Sequence, residues 1–553
     1  MARPDRVILP SMAAAGPTVV ANGDAAPAHP GGLPRALWIA LLAFSFALRA
    51  LALARPIASL DGVIIPDDSY YTLHLARSIA HGLGPFYGLG HTNGFQPLFG
   101  FLMVPFFWLF DDPLRPVRAA LVVSALADTA ALAMLTVILR RQVSDARVVA
   151  AVMVMWAVSP YTISHGTNGL ETSLALFFLL SAAAYFPRTQ QPEASPRAFF
   201  LFGVLGGLAL FARIDSGILL AVAAALSLRP LLARGPAVAI RAALATAAGV
   251  VVVNLPWWLY SYRYTGRIYP VSGRAVRHIS TAAIHHHVTL KNFVIPEIKE
   301  GIRVLLVNHW PLLLVLAAVV ALILLRDGRA GGARLLRELG RQRLLVVHAA
   351  VLFAAYTLYV YTEWFFPRYF YPIHAVLLLA TGIALDRWLA VDTVSQTGKR
   401  RRLLALAIGF MAVSLCRRDF RDIYLTDDPP RLASMNIALW AKEHLPAGTV
   451  VGCPQSGGLG YFADHLTVVN LDGVVNQDAY VAMMKRRLLD YVREAKIGTL
   501  LTWSSTIDLV REESSGMRPD DVTLLMDLPT VRTYGKSWHV YRVNPANGSP
   551  GNQ

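Results

Sequence analysis

The stretch Pro66-Asp67-Asp68-Ser69-Tyr70-Tyr71 directly follows the first strongly apolar segment of the chain. Two adjacent carboxylates at the end of a membrane span are costly unless they face water, and such groups commonly mark functional sites. Asp68 stands where a helix N-cap belongs, ahead of an amphipathic run that extends to Gly84. One carboxylate can therefore cap that helix while the other remains free as a base. From these residues alone, a purely structural role for both acids in a solvated loop stays open.

The composition is that of a polytopic membrane protein. The chain has 553 residues, of which 55% are hydrophobic and 16% charged, and its mean hydropathy is +0.47. Soluble domains carry about 25% charged residues, and several apolar runs approach the ~20 residues that cross a bilayer. The formal net charge of +16 comes from arginines clustered between the apolar runs. This is the positive-inside pattern of membrane topology, so no nucleic-acid partner is expected.

The apolar runs predict about eleven crossings. Arginines precede the first run, which places the N-terminus in the cytoplasm and Asp67 and Asp68 outside. The run Leu98–Phe110 is short and contains Pro105, and counting it as a crossing would move later arginine-rich loops outside. We therefore interpret it as a re-entrant or interfacial segment. The expected crossings are Leu37–Leu53, Val117–Leu139, Val148–Ser164, Thr172–Phe186, Ala198–Phe211, Ser216–Leu228, Ile240–Tyr260, Pro311–Leu325, Leu344–Tyr361, Phe370–Leu389 and Leu403–Cys416.

The composition changes twice along the chain and predicts three parts. Residues 1–34 are rich in Ala, Pro and Gly and predict a disordered cytoplasmic tail. Residues 35–420 form the transmembrane part, with a large first external loop at 55–116. Residues 427–545 predict a small α/β domain outside the membrane. Its expected strands are Thr449–Cys453, Thr467–Asn470, Thr499–Trp503 and Trp538–Val543, and its expected helices are Leu432–His444 and Tyr480–Ala495.

The predicted fold class is thus an α-helical multi-pass protein of the inner (plasma) membrane with a C-terminal extracytoplasmic α/β domain. With this topology, the unusual polar residues of the membrane part converge on the external face. Each one alone is more often a helix cap or a paired charge, but several on one face favour a site. They are Asp67, Asp68, His91, Asn93, Gln96, His165, Asn168, Glu171, Arg213, Asp215, Glu363, Arg368, Tyr369 and His374.

Several of these residues lie in motifs that resemble the GT-C glycosyltransferases. The acidic pair is followed by a Gly-rich turn and His91-Thr92-Asn93-Gly94-Phe95-Gln96-Pro97-Leu98. The other motifs are Asn168-Gly169-Leu170-Glu171-Thr172, Ala212-Arg213-Ile214-Asp215 and Arg368-Tyr369-Phe370-Tyr371-Pro372. The resemblance covers residues 35–420 and is greatest to bacterial enzymes that use polyprenyl-phosphate sugars, including the mannosyl-, aminoarabinose- and arabinofuranosyl-transferring groups.

The resemblance implies transfer of a sugar from a polyprenyl-phosphate donor to an extracytoplasmic acceptor, which would be a cell-envelope glycan, a lipid or a protein. Asp67 or Asp68 would be the general base of an inverting displacement, with a slight preference for Asp68. Arg368 is the first candidate for the leaving phosphate and Arg213 the second, because a guanidinium fork matches phosphate oxygens. The substrate-binding candidates are His91, Asn93, Gln96, Glu171, Arg213, Asp215, Arg368 and Tyr369.

Other interpretations remain open at this point. A lipid or sugar transporter or flippase would use the same charges as a substrate path, although no duplicated half is visible. A non-enzymatic assembly or sensor protein is a third reading. No cofactor is certain, and a divalent metal stays possible because some GT-C enzymes use one. Three consecutive histidines, His285–His287, do not easily face one ion, so a surface cluster is preferred there. Arg368 could also anchor a span end or pair with Glu363.

Overall fold

A computed structural model describes residues 33–282, 294–360, 366–390, 395–426, 433–503, 507–533 and 535–545. The proposed disordered tail lies outside the described residues apart from its last two positions, and so do His285–His287 and Glu363. The helices of the first part are α1 (Arg35–Leu53), α2 (Ile57–Leu60), α3 (Asp67–Ala80), α4 (Pro97–Leu109), α5 (Leu114–Leu139), α6 (Ala146–Val158), α7 (Pro160–Gly166), α8 (Thr172–Tyr185), α9 (Pro196–Ala212), α10 (Gly217–Ala233), α11 (Pro236–Thr265), α12 (Val271–Ala282), α13 (Ile295–Gly340), α14 (Arg343–Ala355), α15 (Phe366–Tyr369), α16 (Tyr371–Leu389), α17 (Gln396–Cys416) and α18 (Arg418–Tyr424).

The helices confirm a polytopic membrane protein. Within the described ranges, six helical segments are long and apolar enough to cross a membrane: α1, α5, Ile214–Ala233, α11, α13 and α16. The consecutive helices α6 and α7 pass the same test together but bend by 62° at their junction. Shorter apolar helices include α4 and α9. The number of about eleven crossings stays a prediction.

The largest difference in helix length concerns α13, where the sequence predicts only the span Pro311–Leu325. The helix covers 46 residues, with a break at Gly328 (φ 59°). The apolar run ends at Leu325, but the part of the helix beyond Gly328 contains three Arg, three Leu and two Ala, which are good helix formers. Hydropathy marks the part of a helix that enters the membrane and does not mark where the helix ends.

The segment that connects α1 to α5 starts and finishes at the same end of the helix bundle. The Arg118 guanidinium, near the start of α5, donates to the carbonyls of Leu53 and Arg55, the latter at 2.8 Å. Helices α3 and α4 lie side by side between them, and the indole of Trp108 in α4 donates to the Ala80 carbonyl at 3.0 Å. A helix α4 that does not cross the membrane requires this arrangement. The interpretation of α4 as a re-entrant or interfacial segment stays a prediction.

The predicted N-cap at Asp68 is wrong. Helix α3 begins at Asp67, and Pro66 occupies the N-cap position in an extended conformation (φ −76°, ψ 159°) without a side-chain cap. Both carboxylates therefore lie in the first helical turn, where the positive end of the helix dipole favours them. Consecutive side chains of a helix point about 100° apart, so the two carboxylates face different surroundings.

The C-terminal part is the predicted small α/β domain. Its sheet has the order β4-β3-β5-β7-β6, formed by β3 (Val450–Cys453), β4 (Thr467–Asn470), β5 (Thr499–Trp503), β6 (Val522–Thr533) and β7 (Lys536–Val543); β1 (Phe86–Tyr87) and β2 (Gly90–His91) form a separate hairpin in the first loop. Strand β3 is parallel to β4 and β5, whereas β7 is antiparallel to β5 and β6. The helices are α19 (Met435–His444), α20 (Gly457–Phe462), α21 (Gln477–Met484), α22 (Leu488–Glu494) and α23 (Ile507–Glu512).

Two details of this domain differ from the sequence expectation. The single helix predicted over Tyr480–Ala495 is wrong, because the chain breaks between α21 and α22, where Arg486 adopts a positive φ of 53°. Strand β6 was not expected. Several of its consecutive side chains are exposed at the sheet edge, so the apolar-polar alternation that marks a half-buried strand is missing.

The α/β domain packs on the first loop through glycines. A Cβ at Gly457 would lie 2.2 Å from the Asp67 carbonyl oxygen, and one at Gly460 would lie 2.2 Å from the Tyr87 hydroxyl. The Gly-rich run after β3 therefore permits close approach of α20 to α3. A buried apolar cluster continues the contact and joins the loop, α11 and the domain; it contains Tyr71, Leu75, Tyr87, Phe95, Trp257 and Val475.

Candidate functional site

A cavity of about 1060 Å³ lies between the helix bundle and the α/β domain. Its inner wall, on the side of the bundle, brings together seven of the residues singled out from the sequence. They come from five separate stretches of the chain and are Asp68, Gln96, Glu171, Arg213, Asp215, Arg368 and Tyr369. Its outer wall is formed by α12 and by the α/β domain; among its residues are Arg274, Arg277, Tyr480, Arg486 and Glu513.

Asp68 faces this cavity and pairs with Arg368. A guanidinium nitrogen of Arg368 donates to the Asp68 carboxylate at 2.8 Å, and the side chains of Arg368 and Asp68 are 12% and 33% exposed, respectively. Arg368 also stacks over the ring of Tyr369, 5.3 Å from its centroid. The backbone before Arg368 is held in place, because the Tyr161 hydroxyl donates to the Pro367 carbonyl at 2.5 Å. A carboxylate and a guanidinium are thus held next to each other at a solvent-accessible surface.

Arg213 forms the second charged group of the inner wall. It donates to Asp215 at 2.8 Å and to Glu171 at 3.1 Å, so one guanidinium lies between two carboxylates. The hydroxyl of Tyr356 accepts from Arg213 at 3.2 Å and donates to Asp215. Arg213 also lies over the ring of Tyr369 at 4.7 Å, on which Arg368 stacks as well. Arg213 is thus bound by two carboxylates and by a hydroxyl.

Asp67 does not face the cavity. Its carboxylate accepts hydrogen bonds from the backbone N–H groups of Gly457 and Gly458 at 3.0 and 2.8 Å. It therefore caps the first turn of α20, across the contact between the first loop and the α/β domain. We call this contact the junction; on the loop side it includes Asp67 and Tyr71, and on the domain side it includes Ser456 and Gly457.

Burial raises the pKa of three carboxylates in and near the junction. Burial raises the pKa of Asp67 to about 6, and hydrogen bonds from Gly458 and Gly457 offset part of this effect. Burial likewise raises the pKa of Asp61 to about 7 and that of Asp472 to about 7. Asp61 accepts from the Met435 N–H at 2.8 Å, which ties the end of α2 to α19.

Two substrate-binding candidates of the sequence stand apart from the cavity. His91 packs between aromatic rings, with Tyr264 at 4.3 Å, and its Nδ1 lies 3.2 Å from the Tyr260 hydroxyl. Asn93 holds the chain before α12: it accepts from the Val271 N–H and donates to the Tyr269 carbonyl, both at 3.0 Å. Neither lines the cavity. Asn93 instead positions the segment that leads into α12, and His91 packs against α11.

Other polar residues that the sequence grouped with the site lie behind it. His165 and His374 pack on the Tyr161 ring at 4.7 and 5.0 Å. The Asn168 carbonyl accepts from the hydroxyl of Ser69 at 2.8 Å, which fixes the residue after Asp68. These residues therefore support the inner wall from the side that faces away from the cavity.

The carboxylates of the site do not form a metal-binding group. Among the described residues, no cluster of three or more His, Cys, Asp or Glu side chains has a geometry that could hold a metal ion. Asp68, Glu171 and Asp215 are each bound by an arginine, and Asp67 by backbone N–H groups. Among the described residues, these carboxylates are therefore held by other partners and do not form a divalent-ion site.

Tyr356 and Arg274 are site residues that sequence reasoning missed. Tyr356 lies within the predicted crossing Leu344–Tyr361 and has no distinguishing motif, so only the fold reveals that it meets Asp215. Arg274 had a signal, because it lies in a stretch more basic than expected for an external loop. That excess of positive charge now lies along the outer wall of the cavity.

Comparisons with known proteins agree with this architecture. A family profile described as "Domain of unknown function (DUF8728)" matches residues 423–543, and no curated protein matches the sequence. A crystal structure of ArnT from Cupriavidus metallidurans bound to undecaprenyl phosphate is similar, with a TM-score of 0.54 and 14% identity over 93% of this chain and 99% of that chain.

A structure of the archaeal oligosaccharyltransferase AglB from Archaeoglobus fulgidus, in complex with an inhibitory peptide and a dolichol-phosphate, is also similar. Its TM-score is 0.52, with 12% identity over 93% of this chain and 75% of that chain. Both similarities extend across the helix bundle and the C-terminal domain. The chain therefore has the fold of the GT-C superfamily, as the motifs of its membrane part predicted.

Proposed function

We propose that this protein is a glycosyltransferase that moves a sugar from a polyprenyl-phosphate donor to an acceptor in the cavity. The observation that carries the proposal is the pairing of Asp68 with Arg368 at the cavity surface, 2.8 Å apart. This pair offers a base and a phosphate-binding group side by side. The similar ArnT and AglB structures contain a polyprenyl or dolichol phosphate, which supports the donor class.

The proposed reaction is a single inverting displacement. The donor phosphate takes the place of the Asp68 carboxylate on Arg368, whose planar fork suits phosphate oxygens. The released carboxylate then accepts the proton of the acceptor hydroxyl as the new bond from oxygen to the anomeric carbon forms. The bond from that carbon to the phosphate oxygen breaks, and the leaving lipid phosphate keeps the electron pair. Arg368 stabilises the charge that develops on the leaving group.

We propose that the cavity faces the extracytoplasmic side and that the N-terminus is cytoplasmic. The alternating arginine content of the loops supports this orientation. The presence of the external candidates and the α/β domain around one cavity is also consistent with it. Reporter fusions after Arg141 and after Gln553 are expected to read opposite sides of the membrane, and readings on the same side would overturn the orientation.

The activity is tested with purified protein in lipid nanodiscs, a panel of polyprenyl-phosphate sugars and cell-envelope fractions as the acceptor source. We expect one donor to be consumed with equal release of polyprenyl phosphate and glycosylated product. Asp68→Asn should lower that rate by about 10²–10⁴-fold, the usual effect of removing a general base. Movement of intact donor across the membrane of a proteoliposome, without consumption of any donor, would instead favour a transporter.

A further inference from the structure

The outer wall of the cavity carries three arginines together with Glu512 and Glu513, and it is made by elements outside the helix bundle. Arg274 and Arg277 come from α12, and Arg486 comes from the turn between α21 and α22. Arg486 donates to the backbone carbonyl of Glu512 at 3.0 Å. This acceptor is neutral, and no carboxylate of the described residues forms an ion pair with Arg486.

Arg274 differs from the arginines of the inner wall in its partners. Its guanidinium lies 4.7 Å from the ring centroid of Tyr480 and 5.6 Å from that of Tyr269. No carboxylate of the described residues lies within ion-pair distance of it, and its buried Nε has no hydrogen-bond partner in the same part of the chain. Arg213 and Arg368 are both paired with carboxylates.

The surroundings of Arg274 hold its guanidinium in place. Asn93 fixes the backbone at Tyr269 and Val271, immediately before α12. At the other side of Arg274, the His278 imidazole lies 3.1 Å from the Glu513 carboxylate, which ties α12 to the α/β domain. Tyr269 also makes a side-chain hydrogen bond with Arg274. Aromatic rings that cover the faces of a guanidinium leave its other N–H groups available. An ordered guanidinium also loses less side-chain entropy when it binds a ligand.

We propose that this outer wall binds an anionic group, a phosphate or a carboxylate, on the acceptor, with Arg274 as its principal contact. This inference rests on the proposed function in one respect, because only that function identifies the bound ligand as the acceptor. The donor phosphate belongs to the inner wall, because its lipid tail must reach the membrane and Arg368 lies on the bundle side. An anion on the outer wall would orient the acceptor so that its hydroxyl points across the cavity toward Asp68.

The test measures binding to the full-length protein in nanodiscs with three labelled trisaccharides of similar size. One carries carboxylates (galacturonate), one carries phosphates (6-phosphomannose) and one is neutral (galactose). We expect at least one acidic probe to bind more tightly than the neutral probe. Arg274→Gln should weaken that binding by about 10- to 100-fold, as expected for a hydrogen bond to a charged group. Arg274→Lys should retain part of it, and the better acidic probe identifies the anion.

Arg263→Gln is the matched control, because Arg263 is an exposed arginine near the end of α11 that does not line the cavity. It should leave the binding of all three probes unchanged. Binding of undecaprenyl phosphate is measured in parallel and should be the same in Arg274→Gln and in the wild type. Thermal unfolding of each variant distinguishes a loss of binding from a loss of fold. If Arg274→Gln does not fold, Arg274→Lys replaces it as the test variant.

Equal binding of acidic and neutral probes, or unchanged acidic binding in Arg274→Gln, would overturn the inference and leave Arg274 as a structural contact between α12 and Tyr480. Equal weakening of undecaprenyl phosphate and of the acidic probe would also overturn it, because Arg274 would then belong to the donor site. If undecaprenyl phosphate does not bind to the wild type while the acidic probe binds through Arg274, the donor proposal fails and the anion site stands.

Discussion

Asp67 and Asp68 are adjacent in the chain, but their carboxylates belong to two different regions. Asp67 is 8% exposed and lies in the junction, where backbone N–H groups of α20 hold it. Asp68 has a side chain that is 33% exposed and lies in the cavity, where Arg368 holds it. A backbone N–H partner is fixed by the fold, whereas a guanidinium can exchange its carboxylate for a phosphate. The difference between the two partners separates a structural acid from a candidate catalytic acid.

The largest effect is expected on the cavity side of this comparison, from Arg368→Ala. Truncating one member of a buried charge pair costs about 2–5 kcal/mol, so donor binding should weaken by about 30-fold or more. Arg368→Lys keeps the charge but loses the fork and should weaken donor binding only partly. Titration with undecaprenyl phosphate measures both, and the affinity for the acceptor should change little.

Arg140→Ala is the control for that experiment, because Arg140 is an exposed arginine at a helix end outside the cavity. It should bind the donor as the wild type does. If Arg368→Ala keeps its donor KM and kcat and only lowers the yield of folded protein, Arg368 is a membrane anchor, and Arg213 becomes the next candidate for the phosphate.

A medium effect is expected in the junction, from Gly457→Ala. The new Cβ would lie 2.2 Å from the Asp67 carbonyl oxygen, and neither backbone can yield easily. Overpacking of this kind costs about 1–3 kcal/mol, so we expect a lower midpoint of thermal unfolding and faster proteolysis between the loop and the domain. Gly498→Ala is the matched control in the same domain, because its Cβ would meet no atom within 4 Å. Equal midpoints for the two variants would contradict the tight packing described at the junction.

The smallest effect concerns the pH dependence of the junction. The folded state raises the pKa of Asp67 to about 6 from an ordinary value of 3.8, so it binds protons more strongly than the unfolded state does. The contribution of Asp67 to stability is therefore fully present below pH 4 and declines as the pH rises to about 6. Thermal unfolding at pH 5 and pH 7.5 should differ less in Asp67→Asn than in the wild type. A larger difference in the variant would contradict the burial of this carboxylate.

The sequence was informative about the cavity because its residues carry unusual chemistry. A charged side chain at the end of an apolar run is conspicuous, and Asp68, Glu171, Arg213, Asp215 and Arg368 were all found in this way. The same reasoning could not assign their partners. The Asp68–Arg368 pair joins residues 300 positions apart, and periodicity carries no information at such a separation.

The junction was harder to predict because it is made from ordinary residues. Gly457 and Gly458 lie in a Gly-rich run after a strand, but the atoms that require their small size belong to Asp67 and Ser434, respectively, outside that run. The N-cap expected at Asp68 failed for a related reason. Local rules assign a carboxylate to its own helix, whereas Asp67 caps a helix of a different domain.

The most direct test of the division between the two acids combines Asp67→Ala and Asp68→Ala with added formate. We measure single-turnover transfer per folded molecule, together with the midpoint of thermal unfolding. Asp68→Ala should fold normally and transfer about 10²–10⁴-fold more slowly, and formate bound against Arg368 should restore part of its rate. Asp67→Ala should unfold at a lower temperature and transfer at nearly the rate of the wild type, with no response to formate. An inactive Asp67→Ala that formate rescues, beside a fully active Asp68→Ala, would contradict the assignment.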